Sequence, residues 1–324
     1  MKFTSIPEAY SSFRESLTYA FDTESAAHDV EVQIIDATTN EVIALKRLYG
    51  ISAGEVDIAP YLERRVRPTL PSKVEQSGAI DPQQSVKVKV AVEGTESATR
   101  TFIAAKIDRE KPFQSLMTQI GQRTMACDEF DIITWFAQPG VAVEVVVEAF
   151  GKGNETLTIT PAGEGVQTVA VTALDFMNIP AEMRVSVRAN GETECVVHYD
   201  IKPNLRGARR VAWLNRHLAA ELYTFPLRKS VLVKSARKCM ESIWGKEASS
   251  LECENELKLL SAYEPQAQIE ALAEILAAKH LWLVEGGVPQ RIDLLTERVM
   301  AAKCGEMGMV ELDIRAAEEG VRLW

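Results

Sequence analysis

The sequence predicts a mainly β chain that ends in an α+β module with one main helix. Three observations predict this. Alternation of apolar and polar residues recurs through the first 203 residues. Polar turn clusters separate those runs at strand-length spacing. Residues 265–280 are the one convincing stretch at helical spacing, and strands are read on both sides of them. At 324 residues the chain also exceeds the usual size of a single domain. Two tandem β-sandwich domains, over 1–110 and 111–203, are therefore expected to precede an α+β assembly module over 204–324.

The elements follow in order. DVEVQIID (29–36) alternates, ATTN turns, and EVIALKRLYG (41–50) returns. SVKVKVAVEG (85–94) puts Lys87 and Lys89 on one face and valines on the other, and TRTFIAAKI (99–107) follows the polar turn GTESA. The pattern then repeats. VAVEVVVEAF (141–150), the turn GKGN and ETLTITPAG (155–163) echo the first hairpin. GVQTVAVTALDF (165–176) stands where GEVDIAPYL (54–62) stood, and residues 183–203 match the segment from SVKVKVAVEG onward. Lys106-Ile107-Asp108 before Pro112 and Asp200-Ile201-Lys202 before Pro203 close the two halves alike. Two diverged copies of one unit are read from this order.

Beyond residue 206, RVAWLNRH and ELYTFPLRKSVLVKSARK read as strands, and ECENELKLLSAYEP offers another. PQAQIEALAEILAAKH (265–280) is the helix, with Pro265 in its first turn and Ile269, Leu272, Ile275 and Leu276 as its apolar stripe. LWLVEGGVPQRIDLLTERV (281–299) reads as a hairpin turning at Gly286-Gly287, and 307–319 as a last strand with Val310, Leu312 and Ile314 on one side.

The formal net charge of -10 disfavours non-specific binding to nucleic acid or anionic membrane. From residue 204 onward 17 basic side chains face 17 acidic ones, so the deficit lies in the first 203 residues, with 19 against 29. Residues 206–238 are basic, with Glu221 their one carboxylate. Two readings stand: solvated strand faces, or a docking face for an acidic partner built from Arg206, Arg209, Arg210, Arg228, Lys229 and Lys234. The first residues lack an apolar core of leader length, and no run reaches the roughly 18 apolar residues of a membrane helix, so neither is expected. Cys127, Cys195, Cys239, Cys253 and Cys304 are odd in number with no CxxC pair, so reduced thiols are expected rather than a zinc ribbon or disulfide framework.

Catalytic motifs are mostly absent: there is no GxSxG, GxxxxGK[ST] or HExxH. GKGN (151–154) fits a hairpin turn better than a phosphate loop. DEFD gathers Asp128, Glu129 and Asp131 but lacks the glycine and distal Glu of a calcium loop, so a solvated linker is expected. His198 and Asp200 share a strand face without a nucleophile placed near them, and Glu318 and Glu319 are expected to face solvent. No catalytic, cofactor or metal residue is assigned.

The densest cluster of functional side-chain types is VAWLNRHLAAELYTF (211–225). In alternation Val211, Trp213 and Asn215 share one face, and the next strand carries Tyr223 and Phe225, so two strands with aromatics pair across a hairpin whose polar end is Asn215-Arg216. Trp213, Asn215, Arg216, Tyr223, Thr224 and Phe225 form a phrase that resembles one in tail-associated structural proteins of Bacteroides-group phages and prophages. There a glycine pair commonly follows the Arg, where this chain has His217-Leu218-Ala219-Ala220. The likeness covers about residues 210–324 and is similar to tail-tube and distal-tail (baseplate) modules, a β-barrel or sandwich with one helix that assembles into rings. It implies a non-enzymatic protein whose partners are other copies of itself and other tail proteins. It also implies a place in the cytoplasm during assembly and then in a virion-like particle. Two other readings remain open. One is a carbohydrate-binding or adhesin-like β-sandwich protein, with Tyr49, Tyr61 and Trp135 as candidate aromatics. The other is a hydrolase using His198, Asp200 or Asp131.

Overall fold

The computed structural model describes residues 1–66, 70, 84–105, 114–116, 118, 120–137, 140–161, 163–176, 178–189, 192–203, 207–285, 288–300 and 307–317. The chain is mainly β with one main helix, and its strands fall into three groups along the sequence.

The first group comprises β1 (Lys2–Ser5), β2 (Thr18–Asp22), β3 (His28–Asp36), β4 (Val42–Ile51), β5 (Ala53–Asp57), the short α1 (Ala59–Leu62), β6 (Ser85–Val92), β7 (Thr95–Glu96) and β8 (Arg100–Ile103). One sheet runs β1-β2-β5; the other runs β4-β3-β6-β7, with β8 also on β6. Alternation works as the sequence predicts: Val30, Val32 and Ile34 are buried while Asp29 stays outside. Tyr19, Phe21 and Val56 of the first sheet share one core with Val32, Val88 and Phe102 of the second. The β3–β4 turn is held by Asp36 Oδ1, which accepts from the amides of Thr38 (2.8 Å) and Thr39 (3.2 Å), and Asn40 takes a left-handed φ of 59°.

The second group comprises β9 (Gln114–Leu116), β10 (Gln122–Ala126), β11 (Phe130–Ala137), β12 (Val143–Ala149), β13 (Gly153–Ile159), β14 (Gly165–Thr172), a 3-10 turn at Ala173–Asp175, β15 (Glu182–Ala189) and β16 (Glu192–Lys202). Its sheets run β14-β11-β9 and β10-β16-β15-β12-β13 and share a core built on Trp135, Val145, Val169, Val185 and Val197. The pairing order repeats that of the first group: β9-β11-β14 parallels β1-β2-β5, and β13-β12-β15-β16 parallels β4-β3-β6-β8. A parallel contact completes each, β10 against β16 and Ser12 bridging Ile103. GKGN is the β12–β13 turn, with Gly151 and Gly153 at positive φ.

The third group is one antiparallel sheet of seven strands, ordered β18-β17-β21-β22-β23-β20-β19. It contains β17 (Arg209–Leu214), β18 (Ala220–Phe225), β19 (Leu227–Ser242), β20 (Gly245–Leu260), β21 (Leu281–Glu285), β22 (Val288–Leu294) and β23 (Glu311–Ala316). Helix α2 (Gln266–Ala273) tightens into a 3-10 turn over Glu274–Ala277, so the α-helix is shorter than the periodicity predicts. Its Ile269 and Leu272, with Ile275 beyond, pack on Val211, Tyr223, Leu259, Leu283 and Ile314. Gly286-Gly287, Glu318, Glu319, Pro112, Arg206 and Lys106-Ile107-Asp108 lie outside the described residues.

Candidate assembly site

The run at 211–225 is the expected hairpin: β17 and β18 pair antiparallel with Val211 opposite Tyr223 and Trp213 opposite Glu221. Asn215 builds its turn. Asn215 Oδ1 accepts from the amides of His217 (2.9 Å) and Ala219 (3.1 Å), and Nδ2 donates to Glu221 Oε1 at 2.8 Å. Leu218 sits at φ 62°, where a glycine would be relaxed, and its side chain fills the core of the first group. Trp213, Tyr223 and Phe225 are fully buried, with Tyr223 and Phe225 edge to face at 5.0 Å. Tyr223 donates to Glu264 Oε1 at 2.6 Å. Burial first, and the nearby carboxylate second, hold its pKa above the usual phenol range. Arg216 stays exposed.

Behind this hairpin lies a cluster that the sequence did not announce. Arg123 of β10 is 1% exposed, donates to Asp131 Oδ2 at 2.7 Å and also pairs with Glu221. Arg210 of β17 donates to Glu129 (3.1 Å), the Thr224 hydroxyl (2.8 Å) and the Phe130 carbonyl (2.6 Å). Burial alone would lower the Arg123 pKa; Asp131 and Glu221 outweigh it and raise it instead. DEFD is thus not a solvated linker: Asp131 is fully buried in β11 and Glu129 is claimed by Arg210 and Thr224. Among the described residues, no group of His, Cys, Asp or Glu is arranged to hold a metal ion. The carboxylates instead tie the second group of strands to the third. Ile132 adds an apolar seam against Ala212, Leu214, Leu222 and Trp282.

Among the described residues, the β19–β20 hairpin carries a long exposed stretch. Its strands pair over 16 residues each, but β20 meets β23 only from Glu256 to Leu260. The remainder extends as a two-stranded arm, roughly 37 Å long at about 3.4 Å per residue. Ile243 is 92% and Trp244 83% exposed at its tip, with Val233 (58%) and Met240 (56%) along β19. Neither a protein-family model nor a curated protein matches the chain.

Several of the described basic residues of the expected docking face have carboxylate partners within the chain. Arg209 pairs with Glu285 (2.9 Å), Arg210 is buried in the ionic cluster, Lys229 pairs with Glu311 (2.8 Å), and Lys234 pairs with Glu256 across the arm. Arg228 is half-buried at the arm's base. Of the candidate aromatics, Trp135 is buried, Tyr61 half-buried and Tyr49 exposed. His198 and Asp200 line an open cleft of about 420 Å³ with Gln122, Phe150, Glu182 and Lys202. There Asp200 pairs with Lys202 at 2.6 Å, and the described lining holds no serine, threonine or cysteine. Cys195 is pushed up to about 11 by burial, so its thiol stays protonated near neutrality.

Proposed function

We propose that this chain is a non-enzymatic structural protein of a phage or prophage tail or baseplate, acting by self-assembly and protein–protein contacts. On this reading the two strand groups with matching pairing order are tandem β-sandwich modules, and residues 204–324 are a tail-tube-like assembly module. The observation that carries it is the solvent-exposed arm with its apolar tip, because an uncovered element of that size marks a binding surface. The resemblance at residues 211–225 supports the same reading, and those side chains are used for packing and for turn geometry. Size-exclusion chromatography with light scattering and negative-stain microscopy test it. Multi-copy particles of defined size are expected; a strict monomer at the highest soluble concentration counts against self-assembly.

A second reading, a carbohydrate-binding β-sandwich protein, draws on the cleft, where the 57% exposed Phe150 stands beside Gln122, Glu182, His198 and Asp200. A glycan array separates the two, since only this reading requires a sugar ligand.

A further inference from the structure

The arm is an odd object to leave bare. An isolated two-stranded ribbon is marginal in water, and three or more strands are usually needed for a stable sheet. Among the described residues β19 pairs with β20 alone, and the tip-ward part of β20 pairs with β19 alone. Both long edges of the arm therefore present backbone donors and acceptors for a further strand.

Charge selects the occupant. Residues 228–238 of β19 include five cations, Arg228, Lys229, Lys234, Arg237 and Lys238, and no carboxylate. Residues 246–256 of β20 include four carboxylates, Glu247, Glu252, Glu254 and Glu256, against Lys246 alone. Lysines on an edge strand normally guard it against pairing. Here the guard acts between like edges: β19 against β19 would oppose cations, and β20 against β20 would oppose carboxylates. Unlike edges are complementary, as the Lys234–Glu256 pair within the arm already illustrates.

We infer that arms of neighbouring copies add edge to edge, the β19 edge of one against the β20 edge of the next, in a head-to-tail sheet of arms. The inference rests on the self-assembly reading above and names its contact. Because each arm runs out and back, this order keeps every neighbouring pair antiparallel. It is a heterologous contact, so it builds a ring or a filament and not a two-fold dimer. Stacking the arms laterally also brings the Ile243 and Trp244 tips of successive copies side by side, covering apolar surface.

The full-length chain supplies its own probe. Cys239 is exposed on β19, and equivalent residues of adjacent arms would lie two strand spacings apart, about 10 Å. Sedimentation velocity should show species larger than a dimer that dissociate as salt rises. A bismaleimide of about 10 Å reach should then yield covalent dimers, lost in Cys239→Ser. Arg237→Glu with Lys238→Glu, residues opposite Leu251 and Ser250 in the register, should raise the concentration needed for assembly at least about tenfold. Replacing 234–254 by an Asn-Gly turn between the cross-strand partners Val233 and Asn255 should abolish assembly. Undiminished assembly in the last two variants overturns the arm contact and leaves the self-assembly reading intact. A dimer that grows no further, or assembled protein with no Cys239 coupling, also overturns it. A wild-type chain that stays monomeric sinks both ideas. Binding of that monomer to phosphatidylcholine vesicles through Trp244, seen as a blue shift in its emission, would make the arm a membrane element instead.

Discussion

At the scale of single residues, Asn215 does the most with one side chain. Its amide satisfies two backbone N–H groups of a five-residue turn and hands a hydrogen bond to the buried carboxylate of Glu221. Replacing it with Ala leaves those donors and that acceptor without their partner, and a lost bond to a charged group costs about 1.5–3 kcal/mol. Asn215→Ala is therefore expected to lower stability by about 2–3 kcal/mol in urea denaturation. Asn215→Asp should cost more, because it sets a second carboxylate against Glu221. A variant as stable as the parent would remove Asn215 from this role. The sequence made the hairpin end legible, since an Asn between two alternating runs is a turn signal with a local mechanism. Arg123 as a partner of Glu221 was not legible, because the two are 98 positions apart and no local rule joins them. Asp131 misled for the same reason: a carboxylate in DEFD reads as solvated until a buried guanidinium is placed beside it.

At the scale of elements, alternation reported the strands well wherever one face is buried, as in β3, β6 and β15, whose valines turn inward at every second place. Helix α2 was legible from its stripe, although its last turn tightens to 3-10 geometry that periodicity does not distinguish. The arm was not legible as an arm. Residues 227–242 and 245–260 read as strands, but the pattern does not say that most of their length lies beyond the reach of the rest of the sheet. A ribbon with solvent on both faces opens locally more readily than a core strand. Limited trypsin digestion is expected to cut first at Arg237, Lys238 or Lys246, all exposed, and to leave the remaining strands joined and folded. First cleavage in β3 or β16 would contradict that ordering.

At the scale of the whole molecule, the β17–β18 hairpin joins all three groups of strands. Leu218 enters the first core, Glu221 and Arg210 meet the second through the ionic cluster, and Trp213 and Tyr223 belong to the third. Removing one member of a buried ion pair costs about 3–5 kcal/mol, whereas apolar replacement of both members is often close to neutral. Glu221→Leu or Arg123→Met alone should therefore destabilise the chain by about that amount. The double variant Arg123→Met with Glu221→Leu should lose less than the sum of the single losses. Additive losses in denaturant titration would show that the pair is not coupled. The same keystone placement bears on how the chain is made. A ribosome delivers residues 1–104 long before it delivers Leu218, so the leading core must wait with a gap in its wall until the closing third emerges. Closure of the first core by Leu218 is then expected to come late, after the β17–β18 hairpin has been made.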